Sequence, residues 1–209
     1  ILILSEDLPL KAINRMKELD VLKYINPEIK ITSETKYLFK EVTNSFAVEV
    51  LFLEKKIDRW LINILAFVDS LVLDDIIKIC IRFKFDKNIV HKIRIIKENE
   101  KKIMNYLDKI KLKNSLIYKG LYHMPIEGIL FYFARSKSIR VRQRIHAYIS
   151  SLIKMKVGIS GNDLKSLGVK PGPAYKDIFR MILYDKLDGI IKTKDDEINF
   201  VKKLYALKT

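Results

Sequence analysis

Apolar residues recur at three- and four-residue spacing along almost the whole chain, and strict alternation is nearly absent. That period predicts helices throughout and an all-α protein, an irregular helical array. "PLKAINRMKELDVLKYI" (9–25) places Pro9 in a first turn and Leu10, Ile13, Met16 and Leu19 on one stripe. "NPEIKITSE" (26–34) interrupts the period, and a long stretch from Glu34 to about Leu73 reads as two helices. Its "LINILAFVDSLVL" (61–73) is the most apolar run; it is too short for a bilayer and carries Asn63 and Asp69, so it reads as a core helix. "DDIIKICIRFKF" predicts a short helix ending near Asp86, and residues 88–110 align Ile89, Ile93, Ile96, Ile103 and Leu107.

Past residue 112 the punctuation sharpens. Asn114 is a candidate N-cap for "NSLIYKGL". Pro125 opens the apolar helix "PIEGILFYFAR". Residues 138–156 put Val141, Ile145, Tyr148 and Leu152 on one stripe, with Arg140 and Arg144 on one side, Arg142 on the other, and Gly158 as the stop. The reading divides the chain into a region 1–112 and a region 113–209, with no repeat and no low-complexity linker.

Charge changes the picture. The 209 residues hold 40 Lys+Arg against 25 Asp+Glu, net +15. Residues 135–180 hold eleven basic and two acidic side chains, so 46 residues carry most of the excess. A general lysine bias would spread it evenly; a local excess points to a polyanion, with nucleic acid first. The candidate contacts are Arg135, Lys137, Arg140, Arg142, Arg144, Lys154, Lys156, Lys165, Lys170, Lys176 and Arg180. Cys80 is the only cysteine, which excludes an internal disulfide and a cysteine-based zinc site. His91, His123 and His146 lack paired-ligand spacing. The chain opens on "ILILSEDLP" without an initiator methionine or the features of a signal peptide, so a piece of a longer, cytoplasmic protein is expected.

Within this window lies "SLGVKPGPAYKDI" (166–178). Ser160 and Asp163 have the spacing of a capping box for a short helix that Gly168 ends in a left-handed conformation. Pro173 sits in the first turn of the next helix. The pair resembles a helix-hairpin-helix module, in which Gly172 admits a phosphate to the backbone and Lys170 adds charge beside it. A sharp corner between packed helices is the plainer reading of the same residues.

The last 90 or so residues resemble the C-terminal end of bacterial class II tRNA nucleotidyltransferases, the CCA-adding, A-adding and poly(A) polymerase family. The markers are Pro125 and Glu127, the Tyr148 helix, "SGNDL" (160–164), "LGVKPGP" (167–173), Leu187-Asp188-Gly189 and the acidic "KDDE" opening the last helix. The first 120 residues match more weakly, through "LKAINRMKELDVLKYINPEI". Asn162 and Asp185 depart from the pattern. The resemblance implies a helical body and tail that cradle the acceptor–T-arm half of tRNA, with the basic window and the Gly172 turn on its phosphates. It implies further that a catalytic head and neck belong to the same protein, and that Mg2+ and ATP or CTP bind in the head. The head's Gly-Ser and Asp-x-Asp signatures do not occur here, so no catalytic β palm and no activity are expected of this chain alone. No membrane partner is expected, and no oligomeric state is assigned. Two other readings stand beside this one. One is a non-specific DNA-backbone clamp; the other is a helical interaction module with "FVDSLVL" and "ILFYF" as partner surface.

Overall fold

The computed structural model describes residues 2–6, 8–49 and 57–206, and among these there are helices and turns but no strand. The helices are α1 Leu2–Ser5, α2 Pro9–Glu18, α3 Ser33–Glu49, α4 Arg59–Phe67, α5 Leu73–Arg82, α6 Lys87–Leu107, α7 Asn114–Leu121, α8 Ile126–Arg135, α9 Ile139–Ser150, α10 Gly161–Ser166, α11 Ala174–Leu187 and α12 Lys194–Ala206. Short 3-10 turns stand at Leu22–Tyr24 and Leu152–Lys154. The stretch read as two helices from Glu34 to Leu73 supplies α3 and α4; its residues 50–56 lie outside the described residues. No helix among the described residues is long and apolar enough to cross a membrane.

Two helices without a polar face form the centre. α4 is buried from Leu61 to Phe67 and α8 from Glu127 to Ala134. A helix that is apolar all round needs neighbours on every side, and α4 has α1, α3 and α8 while α8 has α3, α6 and α9. The polar side chains Asn63 and Glu127 at this centre are both paired. The Asn63 amide donates to the Leu4 carbonyl at 2.8 Å and pins α1 to α4. Glu127 is paired with Lys92 at 3.0 Å. A Cβ on Gly128 would fall 2.5 Å from Ile96 Cγ1, so the glycine is what lets α8 press onto α6. Because "ILFYF" and most of "FVDSLVL" fill this core, with Val72 as the one exposed large apolar residue, neither segment offers the partner surface considered above.

Three helix ends differ from the sequence reading. α2 stops at Glu18 because Asp20 turns left-handed (φ 55°), which leaves Leu19 exposed. α9 stops at Ser150, where Ser151 leaves the helical region (φ −135°, ψ −52°), and the 3-10 turn then delivers Leu152 to the core. Gly158 is therefore not a helix stop. Asn114 begins α7 but does not cap it: Asp188, from the end of α11, accepts from the Ser115 N–H at 2.9 Å and the Ser115 hydroxyl at 2.8 Å.

A second, smaller apolar cluster joins Ile159, Leu164, Val169, Ile178, Ile182, Ile191 and Val201, which brings together α10, α11 and α12. α11 serves both clusters, since Leu187 lies in the larger one. Residues on both sides of 112/113 share the larger cluster, and the packing changes over between Met155 and Ile159. At that changeover the Glu197 carboxylate, fully buried, accepts from the N–H groups of Gly158 and Ile159 at 2.8 Å each and from the Lys186 ammonium. Replacing Glu197 with Gln removes the counter-charge of a largely buried lysine and sets an amide NH2 against two backbone donors. The expected loss is about 3 kcal/mol of folding free energy, measured by urea denaturation.

Candidate nucleic-acid interface

The α10–α11 hairpin is built by local chemistry at each bend. At the start of α10 the Ser160 hydroxyl accepts from the Asp163 N–H, and Asp163 in return accepts from the Ser160 N–H at 2.7 Å. These two Ser160 groups, backbone first, hold the Asp163 carboxyl below its ordinary range, and Lys194 at 3.5 Å adds to the effect. At the end of α10, Gly168 takes φ +83° while its N–H bonds to the Lys165 carbonyl and the Val169 N–H reaches back to Leu164. Any side chain at that φ is strained. Leu164 and Val169 then meet inside the smaller core, which is the apolar contact that accompanies such a cap.

The Pro171-Gly172-Pro173 turn follows and is exposed, as is Ala174 after it. Tyr175 ties it down: its hydroxyl donates to the Val169 carbonyl at 3.2 Å, and its ring lies 3.4 Å from where a Gly161 Cβ would sit. Gly172 differs from Gly168. Its φ is not left-handed and a Cβ there would meet nothing within 4 Å, so nothing inside the molecule requires a glycine. Lys156, Lys165, Lys170 and Lys176 are exposed, and among the described residues none of their ammonium groups has a hydrogen-bond or ion-pair partner. Lys154 is also exposed and does have an interaction.

The arginines sit otherwise. Arg144 donates to the carbonyls of Leu107, Lys109 (2.6 Å) and Ile110 (3.4 Å), the acceptors left over where α6 ends. Arg140 donates to the Asp108 carbonyl at 2.6 Å. Arg142 pairs with Glu41 at 2.6 Å, with its guanidinium 4.6 Å from the Phe133 ring centroid. Arg135 bridges Asp69 at 3.2 Å and Glu100, where Lys97 also binds both acids. Arg180 pairs with Asp177 at 2.7 Å, and Lys137 lies 3.8 Å from Glu34 with both side chains largely exposed. The basic window thus splits. Apart from Lys137 and Arg180, its lysines lie on the hairpin side, while its arginines fasten α8 and α9 to α3, α6 and the turn after α4.

The residues that sequence reading left without a role are positioning groups: Asp188, Glu197 and Lys186. The first two were noticed only as family markers, and their partners are 73, 39 and 38 residues away in sequence. Among the described residues no group of three His, Cys, Asp or Glu side chains stands together to hold a metal.

Two outcomes are expected. Arg144→Ala costs about 1–2 kcal/mol in urea denaturation because three α6 carbonyls lose a charged donor, whereas Lys170→Ala stays within about 0.5 kcal/mol. For Asp163 the folded-state pKa is depressed, so its contribution is present above the unfolded value of about 3.9 and is lost as pH falls through the folded value. Asp163→Asn should therefore show a smaller stability loss than the parent chain when both are acidified below about pH 4.

No family model matches the chain. The chain is 28% identical over 210 residues to the A-adding tRNA nucleotidyltransferase of Geobacter sulfurreducens, aligned across 98% of this chain and 24% of that protein. It is 26% identical over 113 residues to the enzyme of the same name from Halalkalibacterium halodurans, covering 54% of this chain and 26% of the relative. Its fold matches that of the Thermotoga maritima CCA-adding enzyme complexed with tRNA, with TM-score 0.73, 21% identity, and coverage of 95% of this chain and 48% of that one. A CCA-adding enzyme in complex with CTP gives 0.73 at 22% identity, over 99% and 49% of the two chains. The chain thus spans about a quarter of the curated relatives and about half of the solved enzymes. It is similar along nearly its whole length to an A-adding tRNA nucleotidyltransferase and shares the helical fold of CCA-adding enzymes, in line with the resemblance read from the sequence.

Proposed function

We propose that this chain is the tRNA-anchoring body and tail of an enzyme that adds A or CCA to tRNA 3′ ends. The observation that carries the reading is the Gly172 turn: an exposed backbone on a rigid corner, with Lys165, Lys170 and Lys176 unpartnered around it. The α11 N-terminus contributes partial positive charge at the same place. A phosphate can approach Gly172 without meeting a side chain, and the two prolines keep the ordering cost low. Contacts of this kind follow the shape of A-form RNA rather than its sequence, which suits a protein that accepts every tRNA. The neighbours point the same way, one of them being a CCA-adding enzyme complexed with tRNA. Nucleotidyl transfer itself, with Mg2+ and ATP or CTP, is assigned to a head domain outside this chain; no residue here is given a chemical step.

The corner and the phosphate readings are compatible, because a fixed corner is what keeps the Gly172 backbone presented. Gly172→Val distinguishes their weights. The space around Gly172 is open, so the variant should melt within a few degrees of the parent yet bind tRNA several-fold more weakly. A large fall in melting temperature would favour the corner alone.

Salt titration tests the anchoring. With about four lysine–phosphate contacts, tRNA affinity should fall roughly a hundredfold between about 50 and 200 mM salt. Duplex DNA competing as well as tRNA would favour the backbone-clamp alternative.

A further inference from the structure

A series of tyrosines runs outward from the larger core beside α11. Tyr148 of α9 is buried, and Tyr118 of α7 lies against it at a centroid distance of 6.0 Å. Tyr122 stacks on Tyr118 at 5.0 Å with a 26° tilt, and His123 meets Tyr122 edge-on at 5.0 Å. The series runs from the core to the surface: Tyr148 is 2% exposed, Tyr118 8% and Tyr122 55%. Burial first, then the neighbouring Tyr122 and Tyr184 hydroxyls, push the Tyr118 hydroxyl up to about 12, so the ring stays neutral.

The outer ring rests against the Tyr118 ring. Tyr122 closes α7, and its N–H bonds to the Tyr118 carbonyl at 2.8 Å. A large aromatic ring fixed at the surface with one face backed by a buried ring and most of its area in water is a poor way to fill a core. It is a good way to receive another flat ring.

One lysine and the elements of the basic window are its neighbours. Lys119 lies exposed one turn earlier on the same helix, and α7 packs against α9, α11 and the Leu152–Lys154 turn, all elements of the basic window. Tyr184, beside Tyr118, stands ten residues past the start of α11, about 15 Å along the helix from the Gly172 turn. One RNA arm covers that span.

We propose that Tyr122, backed by Tyr118 and edged by His123, is a stacking seat for one unpaired base of the RNA held along the tail. The proposal rests on the anchoring reading and adds to it that the partner carries a base outside its paired stem. Bases inside an A-form duplex are stacked on each other and cannot be shared with a side chain, whereas loop bases and strand ends can.

The test compares the chain with its Tyr122→Ala, Tyr122→Leu, Tyr122→Phe and Tyr122→Trp variants, against tRNA and against a fully paired RNA duplex. The expected result is tRNA binding weakened roughly tenfold or more in the Ala and Leu variants, kept in Phe and Trp, and no change on the duplex. Equal tRNA binding by all variants overturns the seat and leaves the anchoring intact. A loss of equal size on tRNA and duplex also overturns it, since that marks a structural role. If the unmodified chain binds neither RNA, the anchoring reading falls and the seat with it.

Discussion

The Glu197 carboxylate is the interaction on which the tail depends. It is fully buried, and its three donors come from two separate places: the Gly158 and Ile159 N–H groups before α10, and the Lys186 ammonium near the end of α11. A buried carboxylate is tolerated only where donors surround it. Here those donors define how the chain leaves the larger core and where α10 begins. The hairpin that follows inherits its position from that point. Asp188 does the complementary task by joining the end of α11 to the start of α7. Two acids therefore set the tail on the body, and the apolar contacts of Leu187 and its neighbours fill the space between.

The basic excess divides by side-chain chemistry. Guanidinium groups have several donors in a fixed plane, and the fold spends them on carbonyls and carboxylates that would otherwise be orphaned at helix ends and core edges. Arg144 at the end of α6 and Arg142 against Glu41 and Phe133 are the clearest cases. Lys165, Lys170 and Lys176 of the hairpin have no such side-chain partners among the described residues and keep their charge available. A net charge of +9 across residues 135–180 is thus partly structural, and the share left for a polyanion is concentrated near the Gly172 turn.

Local features were legible in the sequence because their physics is local. The capping box at Ser160, the left-handed Gly168 and the apolar stripe through Val141, Ile145, Tyr148 and Leu152 each follow from spacing alone. So did the buried character of α4 despite Asn63, though not the reason for it, which is the Leu4 carbonyl 59 residues away. What spacing could not convey was who meets whom. Arg142 and Glu41 are 101 residues apart, and Arg144 caps a helix 37 residues upstream, so a run of arginines looked like open charge. Gly158 was misjudged for the same reason: its use is an N–H turned to Glu197, not a helix end. Among the residues that carried the resemblance, Asp188 and Glu197 serve as capping and packing groups.

The account's central claim is that RNA lies on the Gly172 turn. Amide hydrogen exchange of the chain with and without tRNA examines that claim most directly, because the turn's own N–H groups are the predicted contacts. Slower exchange on binding, concentrated at residues 170–176, is the predicted result. Unchanged exchange there while tRNA is bound, with protection elsewhere, would contradict it.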